Sequence, residues 1–187
     1  SLGNEIKVTN TIHVHGDIEF EGLDRVDLIR QDNTAYTPES GKAFYMNSDG
    51  EKVYVKESYK ENVDQSKVGL AEVEYRVEHP VNSAIKTEKL KVYVHGEVII
   101  TPPGNMTYKV NTQINPTDGA QATYKFVEDN GNITDRKVTV ESSLSNPYTS
   151  PVPGVKEIPL TASAEVVKGL TTSASATYKV TFNGMPE

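Results

Sequence analysis

The sequence predicts an all-β protein made of two tandem β-sandwich modules, and three observations carry that expectation. Apolar residues recur with period two in several stretches, as required where successive side chains of a strand point to opposite faces. The composition agrees: 7% of residues are aromatic, tryptophan is absent, Thr, Ser and Val are abundant, and ten prolines and thirteen glycines supply turns between short strands. Third, a strand that ends in glycine recurs at module-sized intervals. A chain of 187 residues suits one large domain or two small ones and is long enough to bury a core, so the repeat decides for two.

The repeated strands are "IKVTNTIHVHG", "KLKVYVHG" and "ASATYKVTFNG", which end at Gly16, Gly96 and Gly184. In the second, Leu90, Val92 and Val94 share one face, while Lys89, Lys91, Tyr93 and His95 share the other. In the third, Ala174, Ala176, Tyr178, Val180 and Phe182 share a face, and in the first Ile6, Val8, Ile12 and Val14 do so, with Asn10 the misfit. Aligned on their glycines, the strands place Val14, Val94 and Phe182 in one inward column and His15, His95 and Asn183 outward. The spacing agrees independently of the strands. Gly16 lies 34 positions before the turn glycine Gly50, and Gly96 lies 35 before Gly131. The repeats are 80 and 88 residues long, the size of a small sandwich module and too long for a solenoid unit.

The elements then follow in order. Residues 1–16 are a leading strand, either an edge strand of the first sandwich or the closing strand of a module outside this sequence. Pairing within the first module is expected, because an unpaired edge exposes a row of backbone donors and acceptors. Residues 17–96 form the first module and residues 97–187 the second. "SDG" (Ser48–Gly50) and "DNG" (Asp129–Gly131) carry the small polar and glycine residues that reach positive φ in hairpin turns. "EVEYRVE" sets Val73, Tyr75 and Val77 against Glu74, Arg76 and Glu78, a strand with one buried and one wet face. "NPYTSPVPG" (Asn146–Gly154) holds three prolines and is expected at a surface crossover or sheet edge. The only helical candidate is a turn in "SYKENVDQS". The start in strand-like sequence is what a piece of a longer protein would show, with Ser1, Leu2 and Glu187 as vector-derived ends.

The second module, with "ATYKFVEDNG", "NPYTSPVPGVKEIPLTASAEV" and "SASATYKVTFNG", resembles the immunoglobulin-like repeats of surface-display proteins, in particular the highly immunogenic outer capsid protein of tailed bacteriophages. It also resembles tandem repeats on bacterial surface proteins. The resemblance covers about half the chain through these residues and reaches the first module through the spacing alone. Phe126 stands where many such domains have a core tryptophan. The resemblance implies two tandem immunoglobulin-like β-sandwich domains at a virion or cell surface, displayed from a capsid or cell-surface scaffold and engaged in weak adhesion.

Charge and residue content exclude several classes of function. A formal net charge of -7 disfavours a phosphate-binding face, so no nucleic-acid partner is expected. The absence of cysteine removes disulfides, thiolate nucleophiles and Cys-ligated metals, and leaves the redox compartment open. No apolar run approaches the roughly 18 residues of a spanning helix, so no membrane insertion is expected. Serine-hydrolase, zinc-protease, phosphate-loop and dinucleotide motifs are all missing, and neither a catalytic residue nor a cofactor is expected.

Three clusters invite a metal. His13 and His15, with Glu5 or Asp17, have a spacing that offers two imidazoles to one ion. The second joint replaces His13 by Tyr93, however, which favours reading Val-His-Gly as the hinge between modules. "YMNSDGEKVYVK" matches a calcium loop at Asn47, Asp49 and Gly50 but has Tyr45 and Lys56 where the first and last acids belong, and reads as a hairpin turn. Asp17, Glu19, Glu21 and Asp24 read as a solvated face. No metal site is therefore expected. Aromatic faces stack on sugar rings, and Tyr36, Tyr93 and Tyr148, placed in loops or on outward faces, are the expected contacts for a partner or cell-surface glycan. Two rival functions are a pilus-like or adhesin subunit that assembles by β-strand donation through the leading strand, and a metal-binding module built on the surface histidines.

Overall fold

A computed structural model describes residues 3, 5–59 and 63–185. Ser1, Leu2 and Glu187 lie outside the described residues, as do Lys60, Glu61 and Asn62 of the expected helical turn. Among the described residues the helices and strands are all strands, so the chain is all-β as its sequence requires. The strands are β1 (Glu19–Phe20), β2 (Val26–Ile29), β3 (Ala35–Tyr36), β4 (Ala43–Met46), β5 (Lys52–Val55), β6 (Ser58–Tyr59), β7 (Val63–Asp64) and β8 (Gly69–Glu78). They continue with β9 (Ile85–His95), β10 (Ile99–Thr101), β11 (Met106–Lys109), β12 (Gln121–Val127), β13 (Ile133–Val138), β14 (Val140–Glu141), β15 (Gly154–Val167) and β16 (Leu170–Asn183). Contacts divide the chain into two compact units, Ser1–Asp24 with Thr37–Asn62 and Glu72–Leu90, and Arg25–Tyr36 with Val63–Ala71 and Lys91–Glu187.

In the first unit β1, β4 and β5 form an antiparallel sheet with Glu19 opposite Phe44 and Phe44 opposite Tyr54. The Ser48–Gly50 stretch makes the hairpin: Gly50 has φ of 79°, its N–H donates to the Asn47 carbonyl at 3.0 Å, and Asn47 Oδ1 accepts the amides of Asp49 and Glu51. The loop is thus closed on its own backbone, as the hairpin reading requires. β6 pairs antiparallel with β8, placing Ser58 opposite Arg76 and Tyr59 opposite Tyr75. Val73, Tyr75 and Val77 are buried while Arg76 and Glu78 are exposed, so the alternation of β8 translates directly into a core face. Ile18, Ala43, Tyr45 and Val77 form the centre of this core, and the Tyr75 hydroxyl donates to the Glu39 carbonyl at 2.8 Å.

In the second unit β10–β12–β13 and β11–β16–β15–β14 are two sheets whose side chains meet in one interior. Ala122 and Tyr124 from the first sheet face Ala162 and Ala174 from the second, and Ile158, Leu160, Tyr178, Val180 and Phe182 extend the core along the long β15–β16 hairpin. Two facing sheets over a shared apolar layer are the sandwich arrangement. Gly131, at φ of 85°, closes the β12–β13 hairpin. Residues 146–153 of the proline-rich stretch belong to no strand and are tied in by the isolated bridge of Tyr148 to Ile114 and by the Asn111 amide on the Ser150 carbonyl at 2.9 Å, in keeping with prolines that cannot donate to a ladder.

The strand pairings recur along the chain. β2 runs parallel to the end of β9, from Val26 opposite Val92 to Ile29 opposite His95. β11 runs parallel to the end of β16, from Met106 opposite Val180 to Lys109 opposite Asn183. Likewise β1–β4–β5 is matched by β10–β12–β13, and β6 on β8 by β14 on β15. The registers shift by the 80 and 88 residues that separate Gly16, Gly96 and Gly184.

Three expectations need correction. The leading strand pairs with no strand of the first module: no residue from 5 to 18 is assigned to a strand, and Ile6, Val8, Ile12 and Val14 are 85, 77, 83 and 74% exposed. Val14 therefore leaves the inward column that Val94 and Phe182 occupy at 1% and 1% exposure. His95, expected outward, is 0% exposed, and Tyr93 beside it is 4% exposed. The alternation placed both correctly on the face opposite Val92 and Val94, but that face is covered too.

Candidate functional site

The covering of His95 begins with backbone. Ile29 sits opposite His95 in the parallel pair, the Arg30 amide donates to the His95 carbonyl at 2.6 Å, and the Gly96 amide donates to the Lys125 carbonyl at 2.8 Å. The imidazole is thereby held between β2 and β12. Its Nδ1 accepts the Val127 amide at 3.0 Å, which assigns the proton to Nε2, and Nε2 donates to Asp27 Oδ1 at 2.8 Å. The ring stacks on Phe126 with centroids 4.7 Å apart. Phe126, expected in the place of a core tryptophan, thus packs on the joint histidine, and Arg136 lies over it at 4.7 Å.

Asp27 extends the network to Arg25, whose guanidinium grips both carboxylate oxygens at 2.7 Å, reaches Asp129 on the β12–β13 turn, and lies 3.8 Å over the Tyr93 ring. Partial burial pushes the Asp27 carboxyl up, but the hydrogen bonds from Arg25 and His95 outweigh it and hold the carboxyl below its ordinary 3.8. The same bonds to Asp27 raise the Arg25 guanidinium above its ordinary value. The Tyr93 hydroxyl donates to the Asp129 carbonyl at 3.3 Å. Both nitrogens of His95 and both carboxylate oxygens of Asp27 are engaged by their neighbours, and the chemistry of the network is that of a fastening.

The Gly16 joint has the same frame and a different filling. The Gly16 amide donates to the Met46 carbonyl at 2.8 Å, as Gly96 does to Lys125. His15 is half-buried, its ring edge-on to Tyr45 with centroids 5.8 Å apart, but its buried Nδ1 has no hydrogen-bond partner among the described residues. The turn after Met46 opens at Asn47, whereas the turn after Lys125 opens at Glu128, two residues further on. The shorter hairpin lacks the residue that corresponds to Val127, the donor that satisfies His95. His13 is exposed, with Nδ1 3.3 Å from the Ser48 hydroxyl. His79, which the sequence reading passed over, is 2% exposed, accepts the Val81 amide at Nδ1 and donates from Nε2 to the Gly16 carbonyl at 3.1 Å. Its signal was present, since His79 continues the inward alternation of Val73, Tyr75 and Val77.

The other candidates disperse. Among the described residues no group of three or more His, Asp or Glu side chains is placed to hold a metal ion. Glu21 is occupied by Lys52 at 2.7 Å and by the Tyr54 hydroxyl, bonds that lower its carboxyl pKa. Of the tyrosines proposed for contact, Tyr93 is buried under Arg25, and Tyr148 is half-buried with its ring edge on Phe182 at 6.3 Å. Tyr36 is partly exposed in β3, opposite Val63. The tyrosine most open to a partner is Tyr54, 55% exposed on β5, which the sequence placed in no role. An open cleft of about 450 Å³ lies in the second unit. Its Arg30 and Glu97 pair at 2.6 Å and its Lys125 and Asp135 at 3.2 Å, and Val68, Ile99 and Tyr124 add apolar surface to the lining. No model of a known protein family matches the sequence, and no curated protein matches it either.

Proposed function

We propose that the chain is a non-catalytic pair of tandem immunoglobulin-like β-sandwiches, residues 17–96 and 97–187, that displays a weakly adhesive surface on a virion or bacterial cell. The observation that carries this reading is the recurrence of one set of strand pairings, including the unusual parallel pairing of an early strand with the last one, at the interval of the sequence repeat. A repeated module whose Gly96 joint is fastened through His95, Asp27 and Val127 suits spacing and presentation. The attachment to a capsid or cell-surface scaffold belongs to other parts of the parent protein.

For adhesion, the exposed Tyr54, the partly exposed Tyr36 and the charge-neutral cleft beside Tyr124 suit uncharged polar ligands such as cell-surface glycans better than ions. The test has two arms. Residues 97–187 expressed alone should fold with a cooperative transition, and failure to fold would remove the tandem-sandwich reading. Binding of the whole chain to immobilised glycans and bacterial surfaces should saturate and weaken at least about tenfold in Tyr36→Ser or Tyr54→Ser. Silence on every surface would remove the adhesive part and leave a spacer.

A further inference from the structure

The segment that departs most from expectation is the one before Gly16. Its apolar side chains Ile6, Val8, Ile12 and Val14 alternate as in a half-buried strand, yet stand 74–85% exposed. Isolated apolar residues on a surface need no explanation, whereas four in strand register on a segment assigned to no strand do. By the 80-residue shift this segment corresponds to the C-terminal half of β9: Ile12 falls on Val92, Val14 on Val94, His15 on His95 and Gly16 on Gly96. Val92 and Val94 are 0 and 1% exposed because β9 is filed beside β2 and its apolar face is packed.

We infer that residues 6–15 are the closing strand of a further sandwich of this same module type, joined ahead of Gly16 in the same polypeptide. The two modules of the present chain have no vacancy for it, since β9 and β16 already fill the corresponding positions beside β2 and β11. The half of the joint on the Gly16 side is already built, with the Gly16 amide on the Met46 carbonyl and His79 on the Gly16 carbonyl. The half that a preceding module supplies at the second joint, the Asp27 carboxylate that accepts from His95 Nε2, has no counterpart at His15 among the described residues. Against β9, Ile6, Val8 and Asn10 stand in the places of Lys86, Glu88 and the buried Leu90, so the match is carried by residues 12–16. The inference rests on the tandem-sandwich part of the proposed function and is independent of adhesion.

The test is an extended chain in which Asp17–Ile85 is placed directly ahead of Ile6–Glu187, so that residues 6–16 take the position of residues 86–96. Hydrogen exchange should slow at least about 100-fold for the amides of residues 8–14 relative to the 187-residue chain. The double substitution Ile12→Asp and Val14→Asp should abolish that protection and unfold the added module, yet leave the melting of the 187-residue chain unchanged. An added module that stays unfolded, or residues 8–14 that exchange as fast as before, overturns the inference, because all its other strands are those that fold around β9. Protection of these amides in the 187-residue chain also overturns it: in a monomer it means pairing within the first module, and in a concentration-dependent oligomer it means strand exchange between copies. Folding of residues 97–187 alone separates failure of this inference from failure of the tandem reading.

Discussion

Replacing His95 with alanine is the sharpest test of the joint. Three losses add. The Val127 amide is stranded in a buried position, at about 1–3 kcal/mol. The Nε2 bond to Asp27 goes, at about 1 kcal/mol net, since Arg25 still holds that carboxylate. The stack on Phe126 at 4.7 Å goes, at about 1 kcal/mol. The expected destabilisation is about 3–5 kcal/mol, with the lower end reached where water enters the vacated space and serves the amide. His95→Gln, which keeps one acceptor and one donor, should cost about 1–2 kcal/mol. His13→Ala should cost less than about 0.5 kcal/mol, because the exposed ring touches only the Ser48 hydroxyl. Urea unfolding followed by circular dichroism measures all three. A His95→Ala midpoint within about 0.5 kcal/mol of the wild type would show that the network contributes nothing, and an effect of His13→Ala equal to that of His95→Ala would refute the division between an open and a filled joint.

Val94→Asp should destabilise by about 4 kcal/mol or more, since the side chain is 1% exposed and nothing there pairs a carboxylate; near-wild-type melting would refute its inward face. Asp27 is ionised more readily in the folded state than its ordinary 3.8, so its stabilisation is fully present above about pH 4 and is lost as pH falls through its lower folded value. Asp27→Asn should therefore be less stable than the wild type at pH 7 and approach it below pH 4, and a difference that grows on acidification would reverse the sign and refute the pairing. Gly131→Val should cost about 1–2 kcal/mol, because φ is 85° and the new Cβ meets Leu70 Cδ2 at 3.4 Å. A neutral result by thermal unfolding would mean the turn can relax.

Much of the local structure was legible. The alternation in β8 named Val73, Tyr75 and Val77 as core, and the turn residues at Ser48–Gly50 and Asp129–Gly131 marked both hairpins, because φ preference and side-chain alternation are properties of a few adjacent residues. The site was less legible. Tyr93 and His95 were sorted to the correct side of β9 and assigned the wrong environment, and Tyr54 went unnoticed because its openness depends on what fails to cover it.

By itself the sequence determined the strand class, the hairpins, the repeat interval and the glycine that ends each closing strand, all of which follow from short-range sterics and period-two alternation. Only the tertiary structure decided that β2 runs parallel to β9, that Asp27 and Val127 converge on His95 from 68 and 32 positions away, and that Ile12 and Val14 have no cover while Val92 and Val94 do. The physical reason is that alternation belongs to one strand, whereas burial belongs to whatever distant chain is laid across it. Similar strand sequences are therefore core in one place and surface in another, according to the sheet they find.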